Sequence, residues 1–165
     1  MNYTMASIPK QGLIALAVAL ALAPAMASAQ QAPAGAEGIT GTWNHQLTIR
    51  NCATGAALAQ GSSTSAYTEG GVYMEVAPAP GPTLRTPGIG VWRYVGAQKY
   101  QMSMKYFRYN PDGSFAGKTM VDSNITHLTD DTLAQVAVVR IFNPAGIQVA
   151  SGCATLTSTR FTGAD

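Results

Sequence analysis

The chain has 165 residues, with 10 Lys and Arg against 8 Asp and Glu, and only 11% of it is charged. Its few charges are scattered, so there is no basic stripe for a nucleic-acid backbone and no polybasic surface for anionic lipid, and partners of those kinds are not expected. Two histidines far apart in sequence and two cysteines without a Cys-x-x-Cys spacing make a poor ligand set, so neither a metal nor a cofactor is expected.

Residues 1–29 read as a secretory signal. A single cation, Lys10, precedes an apolar run from Leu13 to Ala23, followed by Pro24 and Ala27-Ser28-Ala29, so cleavage is expected after Ala29. The competing reading is an anchor helix left in place; the run is far shorter than the roughly 20 residues that span a bilayer, and it ends in a proline. No cysteine sits at the cut and no later stretch suits a spanning helix, so a periplasmic or secreted chain without membrane insertion is expected. In such an oxidising compartment Cys52 and Cys153 are expected to form a disulfide. About 136 residues then remain, one domain's worth. Residues 30–38 form a flexible leader of Ala, Gln, Pro and Gly, and 39–165 a single domain. Nothing in the composition specifies an oligomeric state.

Gly41 to Arg50 alternates, with Trp43, His45, Leu47 and Ile49 on one face and Asn44, Gln46, Thr48 and Arg50 on the other, as in a half-buried strand. A weak strand from about Leu58 to Thr68 leads through Glu69-Gly70-Gly71 into Val72, Met74 and Val76, alternating with Tyr73 and Glu75. Pro78, Pro80, Pro82 and Pro87 make 78–90 a long exposed loop, because proline cannot donate to a sheet ladder. Strands are expected at 91–95 and 99–109, and in the second the apolar series changes phase, which predicts a bulge near Tyr106. Asn110-Pro111-Asp112-Gly113 turns the chain into a strand over 115–129, and Asp130-Asp131 turns it again into 133–142. Asn143-Pro144-Ala145-Gly146 repeats the turn chemistry before a last strand at 147–161. No sustained helical spacing with caps follows the signal.

Eight strands joined mostly by tight turns form an antiparallel meander, which escapes exposed edges by closing its first strand on its last. A Cys52–Cys153 bond makes those strands neighbours and brings Arg160 beside Trp43, and parity puts Trp43 and Arg160 on one face with the cysteines on the other. The expected fold is therefore all-β, an eight-stranded antiparallel up-and-down barrel.

Gly41 and Trp43 form a Gly-x-Trp at the start of the first strand, and Arg160 lies near the end of the last. This pattern resembles the lipocalins and the wider calycin superfamily. The resemblance implies an arginine plane covering the indole at one barrel end and an interior able to hold a small apolar molecule. Gly90-Val91-Trp92 repeats the short motif mid-chain, and no helix precedes the tail as in most lipocalins, so the expectation is a lipocalin-like or avidin-like barrel.

Tyr73, Met74, Tyr100, Met102, Met104 and His45 are the candidate ligand-binding residues, with Tyr94 and Tyr106 of the same character, since tyrosine and methionine suit an adaptable cavity and also fill ordinary cores. His45, Glu75, Asp122 and His127 are the candidates if the barrel is an enzyme; the bland alternatives are packed histidines and carboxylates that point outward. Asn124-Ile125-Thr126 fits a glycosylation sequon. The leading expectation is an exported barrel that binds a small hydrophobic or aromatic molecule, with the proline-rich loop as a lid. The alternatives are a barrel isomerase or cyclase of the allene oxide cyclase or dirigent kind, and a structural or interaction protein with a solid core.

Overall fold

The computed structural model describes residues 36–78 and 84–163; the expected signal, most of the leader and the middle of the proline-rich segment lie outside that range. A short 3-10 turn, Ala36–Ile39, leads into β1 (Gly41–Arg50), β2 (Ala57–Tyr67), β3 (Val72–Val76), β4 (Gly88–Gly96), β5 (Lys99–Tyr109), β6 (Phe115–Thr129), β7 (Thr132–Phe142) and β8 (Gln148–Arg160). Every strand pairs antiparallel with the next, and β8 pairs with β1, which closes the barrel in sequence order. Trp43 lies opposite Arg160 and Arg50 opposite Cys153. Cys52, just past the end of β1, reaches back to Cys153 in a disulfide.

One end of the barrel is sealed. Trp43 is fully buried and its indole N–H donates to the Ile39 carbonyl at 2.8 Å. The Arg160 guanidinium lies 4.3 Å above the indole ring, and its N–H groups donate to the carbonyls of Gly38, Thr40 and Asp130. One side chain thus ties the entry of the chain, the β6–β7 turn and the last strand together, with charge-assisted bonds that flat guanidinium geometry makes well. Trp92 packs at the same end, edge-on to Tyr67 and tilted against Tyr100.

Three local expectations change. The backbone does not slip at Tyr106, which stays opposite Thr119; the register shifts between Arg108 and Tyr109, where β6 carries an extra residue, Ala116. The apolar series changed phase because Arg108, on the inward face, bonds the carbonyls of Ala116 and Phe142, while Phe107 turns out against Phe115. The proline-rich stretch is not loop as far as residue 90. Gly88 already opens β4, and Leu84 to Thr86 extend its line along β5 through Thr86 N to Phe107 O and Tyr109 N to Leu84 O, both 3.0 Å. Pro87 is tolerated because Thr86 makes the bond to β5, so Pro87 falls at a position without one. Finally, β3 faces the opposite way from the hydrophobic expectation: Tyr73 and Glu75 point inward, and Val72, Met74 and Val76 are exposed.

The disulfide closes a loop of 101 residues between β1 and β8. Replacing both cysteines, Cys52→Ser with Cys153→Ser, should lower the unfolding free energy by about 4 kcal/mol in urea titrations while leaving the far-ultraviolet spectrum of the barrel unchanged. Arg160→Lys should cost about 2 kcal/mol by the same measurement, because an ammonium cannot cover the ring and satisfy three carbonyls together.

Candidate functional site

The barrel interior is layered, and β1 displays the sequence of layers in its own inward residues. Trp43 belongs to the sealed end with Ile39, Tyr100, Ile125 and Leu133. His45 belongs to a polar layer, and Leu47 and Ile49 to an apolar one nearer the open end. β8 repeats the order from its other terminus, with Arg160, Ser158, then Leu156 and Ala154, and β7 gives Leu133, Gln135, then Ala137 and Val139.

The polar layer is a closed network. His45 is 1% exposed, and its Nδ1 and Nε2 lie 2.6 Å from the hydroxyls of Ser158 and Ser65. Gln135 Nε2 donates to His45 Nδ1 at 3.3 Å and to Ser158 Oγ at 3.2 Å. With Nδ1 accepting, the ring proton sits on Nε2 and points at Ser65. Gln135 Nε2 also donates to the Tyr67 phenol at 3.5 Å. Burial raises the pKa of Tyr67, and burial followed by the Glu75 carboxylate raises that of Tyr73, so both remain neutral. Burial pushes His45 down to about 4, so it is neutral across the physiological range.

Above this layer lies a cavity of about 90 Å³. One wall is apolar, formed by Leu47, Ile49, Val139, Ala154 and Leu156, and another carries Met102, Met104 and Tyr106. Ser63, Ser123, Gln135 and Tyr73 form the polar boundary next to the network. Between them stand Glu75 and Arg85: Arg85 Nη2 donates to Glu75 Oε2 at 2.5 Å, and its guanidinium lies 3.7 Å over the Tyr106 ring. Gly88 makes this pair possible, since a Cβ there would sit 2.9 Å from Met104 Sδ and 3.1 Å from Glu75 Oε2. The volume decides the size of an occupant. It is below the roughly 150 Å³ of an engineered cavity that admits benzene and well below the roughly 300–1,000 Å³ typical of drug-sized ligands, so one ring enters only as the flexible Met102 and Met104 side chains give way, and nothing larger fits.

The structure brings together only part of the expected set. Tyr73, Met102 and Met104 line the cavity, and so does Glu75, which the outward default had placed in solvent. Met74 does not; with Tyr73 and Glu75 inward, alternation turns it out, where it is 50% exposed. Tyr100 packs at the sealed end beside His127, with ring centroids 6.5 Å apart. His45 lies in the layer beneath the cavity and does not line it. His127, in phase with Val121 and Ile125, abuts Gly38, and its buried Nε2 has no partner. Asp122 is on the outer wall, where it pairs with Arg140 and accepts from the Ser103 hydroxyl at 2.5 Å. Asn124 of the sequon is exposed on β6. Arg85 was missed. Its signal was present as the one cation inside the proline-rich stretch, but only folding shows that this stretch returns beside β5. Among the described residues no group of His, Cys, Asp and Glu is placed to hold a metal ion.

No protein-family model matches the sequence, and no curated protein matches it. Among solved structures, an S-type phycobiliprotein lyase from Guillardia theta is similar at 11% identity with a TM-score of 0.38, the match covering 78% of this chain and 91% of that one. A likeness at that level specifies neither ligand nor activity.

The depressed His45 pKa has a direct consequence. Below its ordinary 6.5 the unfolded chain takes up a proton that the folded chain refuses until about 4, so stability is full above pH 6.5 and falls as the pH drops through that window, by about 3 kcal/mol. His45→Gln should remove this part of the slope, read as the difference between wild-type and variant urea stabilities at pH 7 and pH 4.5.

Proposed function

We propose that this chain is an exported, lipocalin-like barrel that binds a small, largely apolar molecule in the cavity above the His45 layer, with access from the end opposite Trp43. The observation that carries the proposal is the cavity itself, a space of about 90 Å³ left open in a barrel whose sealed end and polar layer are densely occupied. Its Met102 and Met104 walls are adaptable, which suits a ligand of imperfect fit, and its polar groups are few and clustered, as orientation requires. Trp43 under Arg160 supports the lipocalin-like comparison. The Cys52–Cys153 bond supports an oxidising compartment, and no helix among the described residues is long and apolar enough to cross a membrane. The signal over 1–29 belongs to the same proposal.

One observation favours a second reading, a barrel isomerase or cyclase. Glu75 presents a carboxylate to the cavity with Arg85 beside it, as a positioned acid–base group would. His45, Asp122 and His127 lend it nothing, being locked in the polar layer, paired on the outer wall and packed at the sealed end.

Methionine-methyl NMR tests the binding proposal directly. Titration with toluene should move the Met102 and Met104 methyl signals saturably and leave Met74 in place, and Ala154→Phe, which fills the cavity, should abolish the shifts. Unmoved signals at millimolar toluene would remove the binding reading. For export, intact-mass analysis of protein from the host's cell envelope should give a chain beginning at Gln30.

A further inference from the structure

The polar wall of the cavity restricts the chemical class of what it holds, an inference that rests on the interior-binding reading above. Glu75 and Arg85 are the charged side chains that line the space, and they are already paired with each other. Arg85 spends Nη2 on Glu75 Oε2, Nε on the Thr86 carbonyl and one face of its guanidinium plane on the Tyr106 ring. Glu75 Oε1 can still accept a hydrogen bond and Arg85 Nη1 can still donate one, a matched acceptor and donor of zero net charge. The two side chains come from β3 and from the segment leading into β4, so the handle exists only in the folded barrel.

A buried charge needs a partner. An anionic ligand drawn to Arg85 meets Glu75 beside it, and a cationic ligand drawn to Glu75 meets Arg85. Either would also carry a net charge into a space walled by Leu47, Val139, Leu156 and Met104. A neutral hydroxyl or primary amide avoids both difficulties, since it donates to Glu75 and accepts from Arg85, and hydrogen bonds to charged groups are the stronger kind. We propose that the barrel selects neutral molecules of about one aromatic ring that bear a hydroxyl or primary amide on the Glu75–Arg85 pair, and that it rejects their anionic and cationic counterparts.

Four probes of one ring size separate the possibilities: phenol, toluene, benzoate and benzylammonium, each titrated at pH 7 into the exported chain and followed by the Met102 and Met104 methyl signals. Phenol should bind about tenfold or more tighter than benzoate and benzylammonium, and several-fold tighter than toluene. Glu75→Gln leaves the Arg85 charge uncompensated and should raise benzoate affinity about tenfold, and Arg85→Gln should do the same for benzylammonium. The probe series on the native chain decides the matter even where a variant fails to fold. Benzoate or benzylammonium equal to phenol, or toluene equal to phenol, overturns the selectivity while leaving a binding cavity in place. Failure of all four to bind overturns the interior-binding reading together with it.

Discussion

The whole barrel depends on β1 lying beside β8. Before that pairing forms, the meander is an open sheet with two free edges, and its inward residues have no shared interior. Once Trp43 stands opposite Arg160 and Arg50 opposite Cys153, the sheet has an inside, and its two faces become chemically distinct. The closure is held at three levels: by the ladder along both strands, by the disulfide near one end, and by the guanidinium of Arg160 at the other, spread over an indole and three backbone carbonyls. The sealed end is therefore held by side-chain bonds as well as by the ladder, and the cavity lies in the opposite half.

The interior is unusual for carrying a polar layer between two apolar ones. Burying His45, Gln135, Ser65 and Ser158 costs desolvation, and the cost is offset only because each group finds partners within the layer. Such a layer resists collapse, since an apolar side chain displaced into it would strand a donor or an acceptor. It works as a fixed floor, above which Met102 and Met104 can shift without disturbing the plug. Glu75 and Arg85 follow a different rule, because they line the cavity as charged groups and are paired with each other.

Much of the architecture was legible in the chain order. Turn chemistry at Asn110-Pro111-Asp112-Gly113 and Asn143-Pro144-Ala145-Gly146 placed two hairpins, and Gly113 and Gly146 do adopt the positive φ that such turns require. The candidate site was harder to read. Met74 and Tyr73 are adjacent and equally suited to a cavity by type, but a strand sends neighbours to opposite faces, and which face is inside depends on strands far away in sequence. The hydrophobic pattern misleads in β3, where three apolar residues face outward and a carboxylate faces in, because an interior that holds a counter-charge reverses the usual preference.

By itself the sequence determined the strand count, the antiparallel order and the cysteine pairing, because these follow from local periodicity, local turn chemistry and a count of only two thiols. That pairing gave by parity which residues share a face, but a register set by Cys52 against Cys153 is two residues off, because Arg50 stands opposite Cys153 and Cys52 reaches back from beyond the strand. Only the tertiary structure decided that His45 is a neutral, fully bonded floor residue rather than a ligand contact, and that the proline-rich stretch returns as a strand extension. It also decided that Arg85 meets Glu75 on one wall of the cavity. Those outcomes depend on which side chains from distant strands share a layer, a quantity set by stagger and closure around the whole barrel, and no short-range pattern along the chain encodes it.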